Sequence, residues 1–318
     1  MQESSTPPTT PRSHVGIHRL ARYTAEATFI LIIAGGLVTS TGSGLAVPDW
    51  PLAFGSWFPR MVGGVFFEHG HRIIAGMVAL LILSLTIWIW RREARRSVKV
   101  LASLASVVVL AQVALGGATV LLELPAVISI SHAALAQTFF CLTIALVVLT
   151  SPGWLASAGG KRGAAAGIPA LAALATVAVF GQLVLGAVLR HTGGGLLLHV
   201  LGAVLVFVLL TVLSLRVFDR QVDQRRLFRP AILLMMLLVV QIALGTVALV
   251  AAGSVLATTA HVAVGALILA TCVWLSLWSR RLLTSAGAAE AEPGRGEALF
   301  NQSVQSIPTI RSMGGATA

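Results

Sequence analysis

The stretch HGHRIIAGMVALLILSLTIWIW, residues 69–90, decides the fold of this chain. Residues 73–90 contain no charged side chain, and two arginines follow directly at positions 91 and 92. About 20 consecutive apolar residues are enough to cross a bilayer as a helix. The stretch therefore predicts a transmembrane helix that begins with an ionisable cluster and ends in basic residues.

Seven further segments have a similar apolar character. The chain has 318 residues, of which 57% are hydrophobic and 10% charged, and its mean hydropathy is +0.91. These values lie outside the range of soluble globular proteins. We predict an all-α integral membrane protein with eight transmembrane helices. They cover residues 24–41, 69–90, 98–121, 130–150, 167–189, 195–216, 229–251 and 257–279.

The basic residues predict the orientation. The formal net charge is +11, and most of the 22 lysines and arginines precede the first helix, follow the eighth, or lie after the second, fourth and sixth. Segments rich in basic residues stay on the cytoplasmic side. We therefore predict a multi-pass protein of the cytoplasmic membrane with both termini in the cytoplasm. Because topology accounts for the charge, we expect no nucleic-acid partner.

The chain contains an internal repeat. QVALGGATV (112–120) and QIALGTVAL (241–249) are 129 positions apart, as are His132 and His261. His71 and His199 are 128 positions apart. This predicts two tandem, pseudo-symmetric four-helix bundles. We divide the chain into a cytoplasmic tail (1–22), an N-terminal unit (23–152), a cytoplasmic linker (153–166), a C-terminal unit (167–282) and a disordered cytoplasmic tail (283–318).

Each unit carries one histidine on its second helix and one on its fourth, all near the outer end: His71, His132, His199 and His261. Facing side chains in a bundle core hold cofactors. Haem iron accepts two axial histidines, whereas copper or zinc would need further ligands. We predict that all four bind haem iron. The alternative is an interhelical hydrogen-bonding role, which is the commoner one for a single membrane histidine. His69 and His191, near the outer face, are expected to face solvent or the edge and not to be ligands.

The two units differ beside their first histidine. Glu68 lies three residues before His71 and Arg72 follows it, whereas the second unit has Leu196 and Val200 in the matching positions. A carboxylate on the same helix face as the imidazole could orient a water, take a proton or stabilise a cationic intermediate. An ion pair between Glu68 and Arg72, one helical turn apart, is the alternative. Arg72 and Arg190 are predicted to bind carboxylates such as haem propionates.

The first unit also has an additional outer loop, TGSGLAVPDWPLAFGSWFPRMVGG (41–64), rich in glycine, proline and tryptophan. Such a composition is typical of turns and suits a loop that caps a cavity or lies at the membrane interface. A lid is expected over the unit that handles an exchangeable ligand. The first unit is therefore predicted to do the chemistry, and the second to hold a permanent cofactor.

The residues TGSGLAVPDWPLAFG (41–55) and EHGHR (68–72), the Gln-x-x-Leu-Gly segments and the four histidines together resemble the haem A synthases of the cytochrome oxidase assembly family. The resemblance implies oxidation of the C8 methyl group of haem O to a formyl group, through a hydroxylated intermediate, to give haem A. It implies haem b between His199 and His261. It also implies a substrate haem between His71 and His132, with Glu68 as a catalytic residue.

Many members of that family carry a cysteine pair in the first outer loop, where this chain has Val47 and Ala53. Its two cysteines, Cys141 and Cys272, fall inside predicted helices. The chain is therefore similar to the cysteine-lacking class, and we expect packing of Trp50, Trp57 and the prolines to hold the loop.

The resemblance implies haem O and membrane lipid as partners, with the haem O synthase and cytochrome oxidase assembly factors as further candidates, and leaves a homo-oligomer open. One rival function remains. A di-haem b-type membrane electron-transfer cytochrome would explain four histidines, although not Glu68 or the additional loop.

Overall fold

The computed structural model describes residues 12–157, 167–251 and 253–283. In these ranges it contains nine helices, and eight of them are long and apolar enough to cross a membrane. The helices are α1 (Arg12–Ser40), α2 (Gly64–Arg92), α3 (Arg96–Leu121), α4 (Ala126–Thr150), α5 (Pro152–Ala156), α6 (Ile168–Thr192), α7 (Leu196–Arg220), α8 (Arg225–Val250) and α9 (Val255–Leu283). The prediction of an all-α, eight-span membrane protein is confirmed.

The first helix starts earlier than predicted. It begins at Arg12, inside the segment 1–22 that was predicted as a cytoplasmic tail. Ile17 and Ala21 lie one turn apart and are buried in the core, while Arg19 and Arg22 are exposed. This amphipathic turn extends the apolar helix, because the helix buries one face and leaves its charges outside. Residues 1–11 lie outside the described part of the chain.

The eight long helices form two rings of four. In the first ring α1, α2, α3 and α4 pack in chain order and α4 closes against α1; α6 to α9 repeat this arrangement. Each ring has its own buried core, with Ile82 and Leu85 in the first and Leu210 and Leu234 in the second. The rings meet where α1 and α4 face α6 and α9. The predicted pair of bundles is thus present.

The two ends of the molecule differ in chemistry. We call the end that carries residues 41–63 and the first turns of α2, α4, α7 and α9 the loop end, and the opposite end the basic end. At the basic end the short helix α5 occupies the start of the predicted linker, and its Ser151 hydroxyl accepts a hydrogen bond from Trp154 N. The remainder of that linker, residues 158–166, and the tail 284–318 lie outside the described residues.

The segment around α5 connects the two rings. Arg226 of α8 donates to the Gly153 carbonyl at 3.0 Å and to Ser157 Oγ at 2.5 Å. Its guanidinium also stacks 4.3 Å from the ring centre of Trp278. These contacts link α8 of the second ring to the α5 segment that follows the first ring.

Candidate functional site

Each of the four predicted histidine ligands lies against a glycine of the preceding helix in its own ring. The four pairs are His71 with Gly35, His132 with Gly116, His199 with Gly186 and His261 with Gly245. A Cβ added at these glycines would lie 3.1, 3.3, 3.2 and 2.9 Å from the histidine Cε1 atom, respectively. Ordinary carbon contacts are about 3.5–4.0 Å. The imidazoles therefore occupy space that only a glycine leaves free.

Three of these glycines, Gly116, Gly186 and Gly245, belong to Gln-x-x-Leu-Gly segments, whereas Gly35 does not. Sequence reasoning used the segments only as evidence of duplication and did not assign a role to the glycine. The available signal was their equal spacing from the histidines in both units. The structure shows the role of the glycine: at each of four close helix crossings at the loop end, it leaves room for one imidazole.

The glutamine of each segment lies one helical turn before its glycine and reaches the same histidine. Gln112 Nε2 donates to the His132 carbonyl at 2.9 Å, and Gln182 Nε2 donates to the His199 carbonyl at 2.8 Å. Gln182 Nε2 also lies 3.1 Å from His199 Nδ1. Residues four apart share one face of a helix, so glycine and glutamine together form a seat for each of these rings.

His199 and His261 face each other across the C-terminal ring. Their ring centroids are 6.4 Å apart and their planes make an angle of 65°. Imidazole–metal bonds are about 2 Å long, so two such bonds plus the ring radii account for the separation. His261 Nδ1 lies 3.2 Å from the Gln241 carbonyl. Donation to that carbonyl places the proton on Nδ1 and the lone pair on Nε2, the form that binds a metal; in the structure Nε2 lies 3.3 Å from Gln241 Nε2. These residues fit a haem with two axial histidines.

The N-terminal pair is less constrained. His71 Nδ1 and His132 Nδ1 are buried without a hydrogen-bond partner. Buried polar atoms are normally paired. The two imidazoles therefore lie against their glycines without the polar contacts to the ring nitrogens that hold His199 and His261.

Glu68 is 4% exposed and both of its oxygens are bound. Oε1 accepts from Arg72 at 2.5 Å, and Oε2 accepts from the backbone N–H of Val47 at 2.8 Å. The ion pair weighed as an alternative is therefore present. Because Val47 belongs to the outer loop, the carboxylate links that loop to α2 beside His71.

Arg72 is the main anchor of the outer loop. Its guanidinium donates to the carbonyls of Asp49 at 2.7 Å, Leu52 at 2.9 Å and Val47 at 3.3 Å, in addition to Glu68. The protein itself thus occupies the donors that were predicted to bind a propionate. At the other rim position, Arg190 donates to the Thr39 carbonyl at 2.9 Å and connects α6 to α1.

The rest of the outer loop is held by a tight turn and one tryptophan. The Asp49 carboxylate accepts from the backbone N–H groups of Gly55 and Phe54, and the Gly55 bond in particular holds the pKa of Asp49 below its usual value. The Trp50 ring packs on Gly117, where a Cβ would lie 2.9 Å away. Trp57 is 64% exposed. The expectation that its side chain anchors the loop is wrong.

Two other predictions concern single side chains. His69 was expected at the edge, yet it is only 5% exposed and its Nε2–H donates to the Trp57 carbonyl at 3.1 Å. The reason is that the loop folds over the start of α2 and covers this ring. Cys141 and Cys272 are free thiols inside α4 and α9, as predicted. Among the described residues no group of three or more His, Cys, Asp or Glu could hold a metal ion.

A known protein family matches part of this chain. Residues 62–199 match the family described as "Cytochrome oxidase assembly protein". The match spans α2 to α6 and the start of α7, and so includes Glu68, His71, His132 and His199 but not His261.

Several curated proteins named "Heme A synthase" are similar to this chain. The protein of Bacillus licheniformis is 34% identical over 128 residues, which is 40% of this chain and 42% of the relative. That of Shouchella clausii is 40% identical over 81 residues, 25% of this chain and 27% of the relative. That of Halalkalibacterium halodurans is 32% identical over 151 residues, 46% of this chain and 49% of the relative. The chain spans less than half the length of each of these relatives.

Proposed function

We propose that the chain is a haem A synthase of the cytochrome oxidase assembly protein family, whose model matches residues 62–199. The proposed reaction oxidises the C8 methyl group of haem O to a formyl group, through a hydroxylated intermediate. The product, haem A, would serve cytochrome oxidase. The observation that carries this proposal is the placement of two glycine-seated histidines in each ring, all at the same end of the molecule.

We assign a resident haem b to the C-terminal ring, with His199 and His261 as its axial ligands. When bound, a haem supplies one-electron redox chemistry. The chain contributes orientation: the Gln241 carbonyl would accept from His261 Nδ1–H, and Gln182 Nε2 donates to the His199 backbone carbonyl. Arg190, at the rim beside Thr39, is the proposed partner of a propionate.

We assign the substrate porphyrin to the N-terminal ring, between His71 and His132. The outer loop lies over the start of α2 and would exclude water from the reacting methyl group. Glu68 is the proposed acid–base residue. Its Oε2 would accept a proton once the Val47 N–H moves away, while Arg72 keeps Oε1 in place. Arg72, which holds three loop carbonyls, would couple substrate entry to loop movement and turn toward a propionate when the loop opens.

We further propose that the basic end faces the cytoplasm and the loop end the opposite side, as the positive-inside rule predicts. Haem O would then be bound at the outer end of the membrane. The haem O synthase that supplies it and cytochrome oxidase assembly factors are proposed partners, and a homo-oligomer is compatible with this arrangement.

The test is to express the protein with and without a haem O synthase, extract the non-covalent haems, and separate them by chromatography with mass detection. Haem A, or a hydroxylated form of haem O, should appear only when haem O is supplied. Haem B alone in both preparations would refute the proposal and favour the electron-transfer cytochrome.

A further inference from the structure

A basic groove lies on the surface of α2 at the basic end of the first ring. Its volume is about 420 Å³, within the range of about 300–1,000 Å³ that is typical of ligand sites. We call it the basic groove, and it is lined by Ser84, Ile87, Trp88, Arg91 and Arg92. A smaller hollow of about 100 Å³ lies on α1 and is lined by Arg19, Arg22 and Tyr23.

The indole of Trp88 joins the basic groove to α1. A Cβ added at Gly16 would lie 2.6 Å from Trp88 Cη2, so the indole lies directly on the backbone of α1. Arg19 follows Gly16 by three residues and therefore shares its helix face. Tryptophan is enriched where membrane and water meet. The basic groove thus lies between two helices at the level of the lipid headgroups.

The two arginines of the basic groove have no partner within the protein. Other arginines at this end connect segments of the chain: Arg95 pairs with Glu93 at 2.8 Å, and Arg226 donates to the α5 segment. Arg91 and Arg92 are exposed, and over residues 12–157, 167–251 and 253–283 their guanidinium groups meet no hydrogen-bond acceptor or carboxylate. Guanidinium groups bind phosphate oxygens bidentately. The basic groove is therefore suited to a phosphate group.

An apolar strip on α2 continues from the basic groove toward the membrane centre. Ile87 is 54% exposed and Leu80, two turns further from the arginines, is 67% exposed. Residues seven apart lie on one face of a helix. A ligand whose phosphate meets Arg91 and Arg92 would thus lay an apolar chain along Ile87 and Leu80. A phospholipid combines these two parts in one molecule, whereas a free phosphate has only the first.

The second ring contains the same helix contact with a different side chain. The histidines of α2 and α7 are 128 positions apart, and the glycines of α1 and α6 that face them are 151 positions apart. By these offsets Gly167 matches Gly16 and Arg216 matches Trp88. A Cβ added at Gly167 would lie 3.2 Å from Arg216 Nη1. The duplication has thus kept the crossing and changed what covers the glycine.

The charges around this crossing differ between the two rings. Asp219 matches Arg91, and it pairs with Arg220 at 3.5 Å. Ala170 matches Arg19. The second ring therefore has a carboxylate and an alanine where the first has two arginines. Membrane orientation acts on both units alike, so the positive-inside rule does not explain why the first ring concentrates this charge.

We propose that the basic groove binds the headgroup of an anionic phospholipid. Arg91 and Arg92 hold the phosphate, Trp88 lies at the headgroup level, and an acyl chain follows Ile87 and Leu80. Basic pockets between membrane helices attract anionic lipids through the same charge complementarity. The inference does not depend on the proposed function, because no haem takes part in it.

The test measures lipid binding to the purified full-length protein in a non-ionic detergent. The protein is titrated with dioctanoyl phosphatidylglycerol at fixed ionic strength, and bound lipid is counted by native mass spectrometry. An Arg91→Gln/Arg92→Gln double variant should weaken one lipid site about 25-fold, since each basic residue near an anionic lipid contributes about fivefold. Dioctanoyl phosphatidylcholine, whose choline cancels the phosphate charge, should bind the unmodified protein more weakly by a similar factor.

The matched control is an Arg225→Gln/Arg229→Gln double variant. Both arginines are exposed on α8 at the same end of the molecule, and their replacement removes the same charge away from the basic groove. This variant should bind phosphatidylglycerol as tightly as the unmodified protein. Equal weakening in the two double variants would show that net charge, and not the basic groove, attracts the lipid, and would overturn the inference.

Two further outcomes decide the nature of the ligand. Unchanged phosphatidylglycerol binding in Arg91→Gln/Arg92→Gln would also overturn the inference. Inorganic phosphate, added at the same ionic strength, should not displace the lipid, because it lacks the chain that lies along Ile87 and Leu80. Displacement by phosphate would mean that the groove recognises a free anion and would refute the lipid assignment. All of these results leave the proposed function untouched.

Discussion

Gly245→Ala should displace the His261 ring and weaken haem binding in the C-terminal ring. The added Cβ would lie 2.9 Å from His261 Cε1 and 3.3 Å from Nδ1, so the ring must move by roughly 0.6 Å to restore ordinary contact. In a helix interior alanine is favoured over glycine by about 0.5–1 kcal/mol. Overpacking costs about 1–3 kcal/mol. We expect net destabilisation of about 1 kcal/mol and haem retention reduced about tenfold, since a site tolerates about 0.5 Å of misplacement.

The assay measures haem absorbance per protein after purification and the rate of haem release to apomyoglobin. Gly181→Ala is the matched control: it lies in α6 of the same ring, and an added Cβ there would meet no atom within 4 Å. It should retain haem fully and unfold at the same or a slightly higher temperature. If Gly245→Ala released haem at the rate of the unmodified chain, the argument that the glycine makes room for the ring would be refuted.

Three other perturbations test different parts of the molecule. Arg72→Gln should open the outer loop, because it removes the donor to three loop carbonyls. It also leaves the buried Glu68 carboxylate without its ion-pair partner, at a cost of about 3–5 kcal/mol. Limited proteolysis within residues 41–63 should therefore accelerate at least tenfold. Glu68→Ala should leave the spectrum of the C-terminal haem unchanged while abolishing haem A, and full haem A output would contradict the catalytic assignment. Glu93, at the basic end, has its pKa lowered to about 2 by the Arg95 side chain. Since its folded pKa lies below its unfolded value of 4.5, it stabilises the fold above about pH 4.5, by on the order of 2–3 kcal/mol, and this stabilisation is lost as the pH falls toward 2. Thermal unfolding between pH 7 and 3 should show this loss, and Glu93→Gln should flatten the profile.

The eight helices were predictable because the membrane imposes a length and composition that a single sequence displays directly. The pairing into two rings followed from the equal spacing of two Gln-x-x-Leu-Gly segments and their histidines. The start of α1 was missed because an apolar-run criterion discards charged residues, although the Ile17 and Ala21 pair carries a helical period. Boundaries at the membrane surface depend on which face is buried, and composition alone does not report this.

The site was only partly predictable. Sequence spacing identified the histidines, yet the role of Gly245 depends on how closely α8 approaches α9, which is a property of the packed pair. The loop shows the same limit. Trp50 and Trp57 are alike in sequence context, but the Trp50 ring packs on Gly117 whereas the Trp57 side chain is exposed. Arg72 was predicted to bind carboxylates such as haem propionates, and in the structure it contacts three loop carbonyls and the Glu68 carboxylate.

Three differences between the two units lie in the first ring, at the loop end. The additional loop, the Glu68–Arg72 pair and Leu31 surround His71, while the equivalent positions near His199 are plain apolar residues and a glutamine. Leaving a buried imidazole nitrogen unpaired costs about 1–3 kcal/mol. The first ring carries two such atoms and the second ring pairs both of its own. A histidine pair whose Nδ1 atoms are unpaired in the first ring, and one whose Nδ1 atoms have polar contacts in the second, agree with the proposed division between a substrate site and a resident haem.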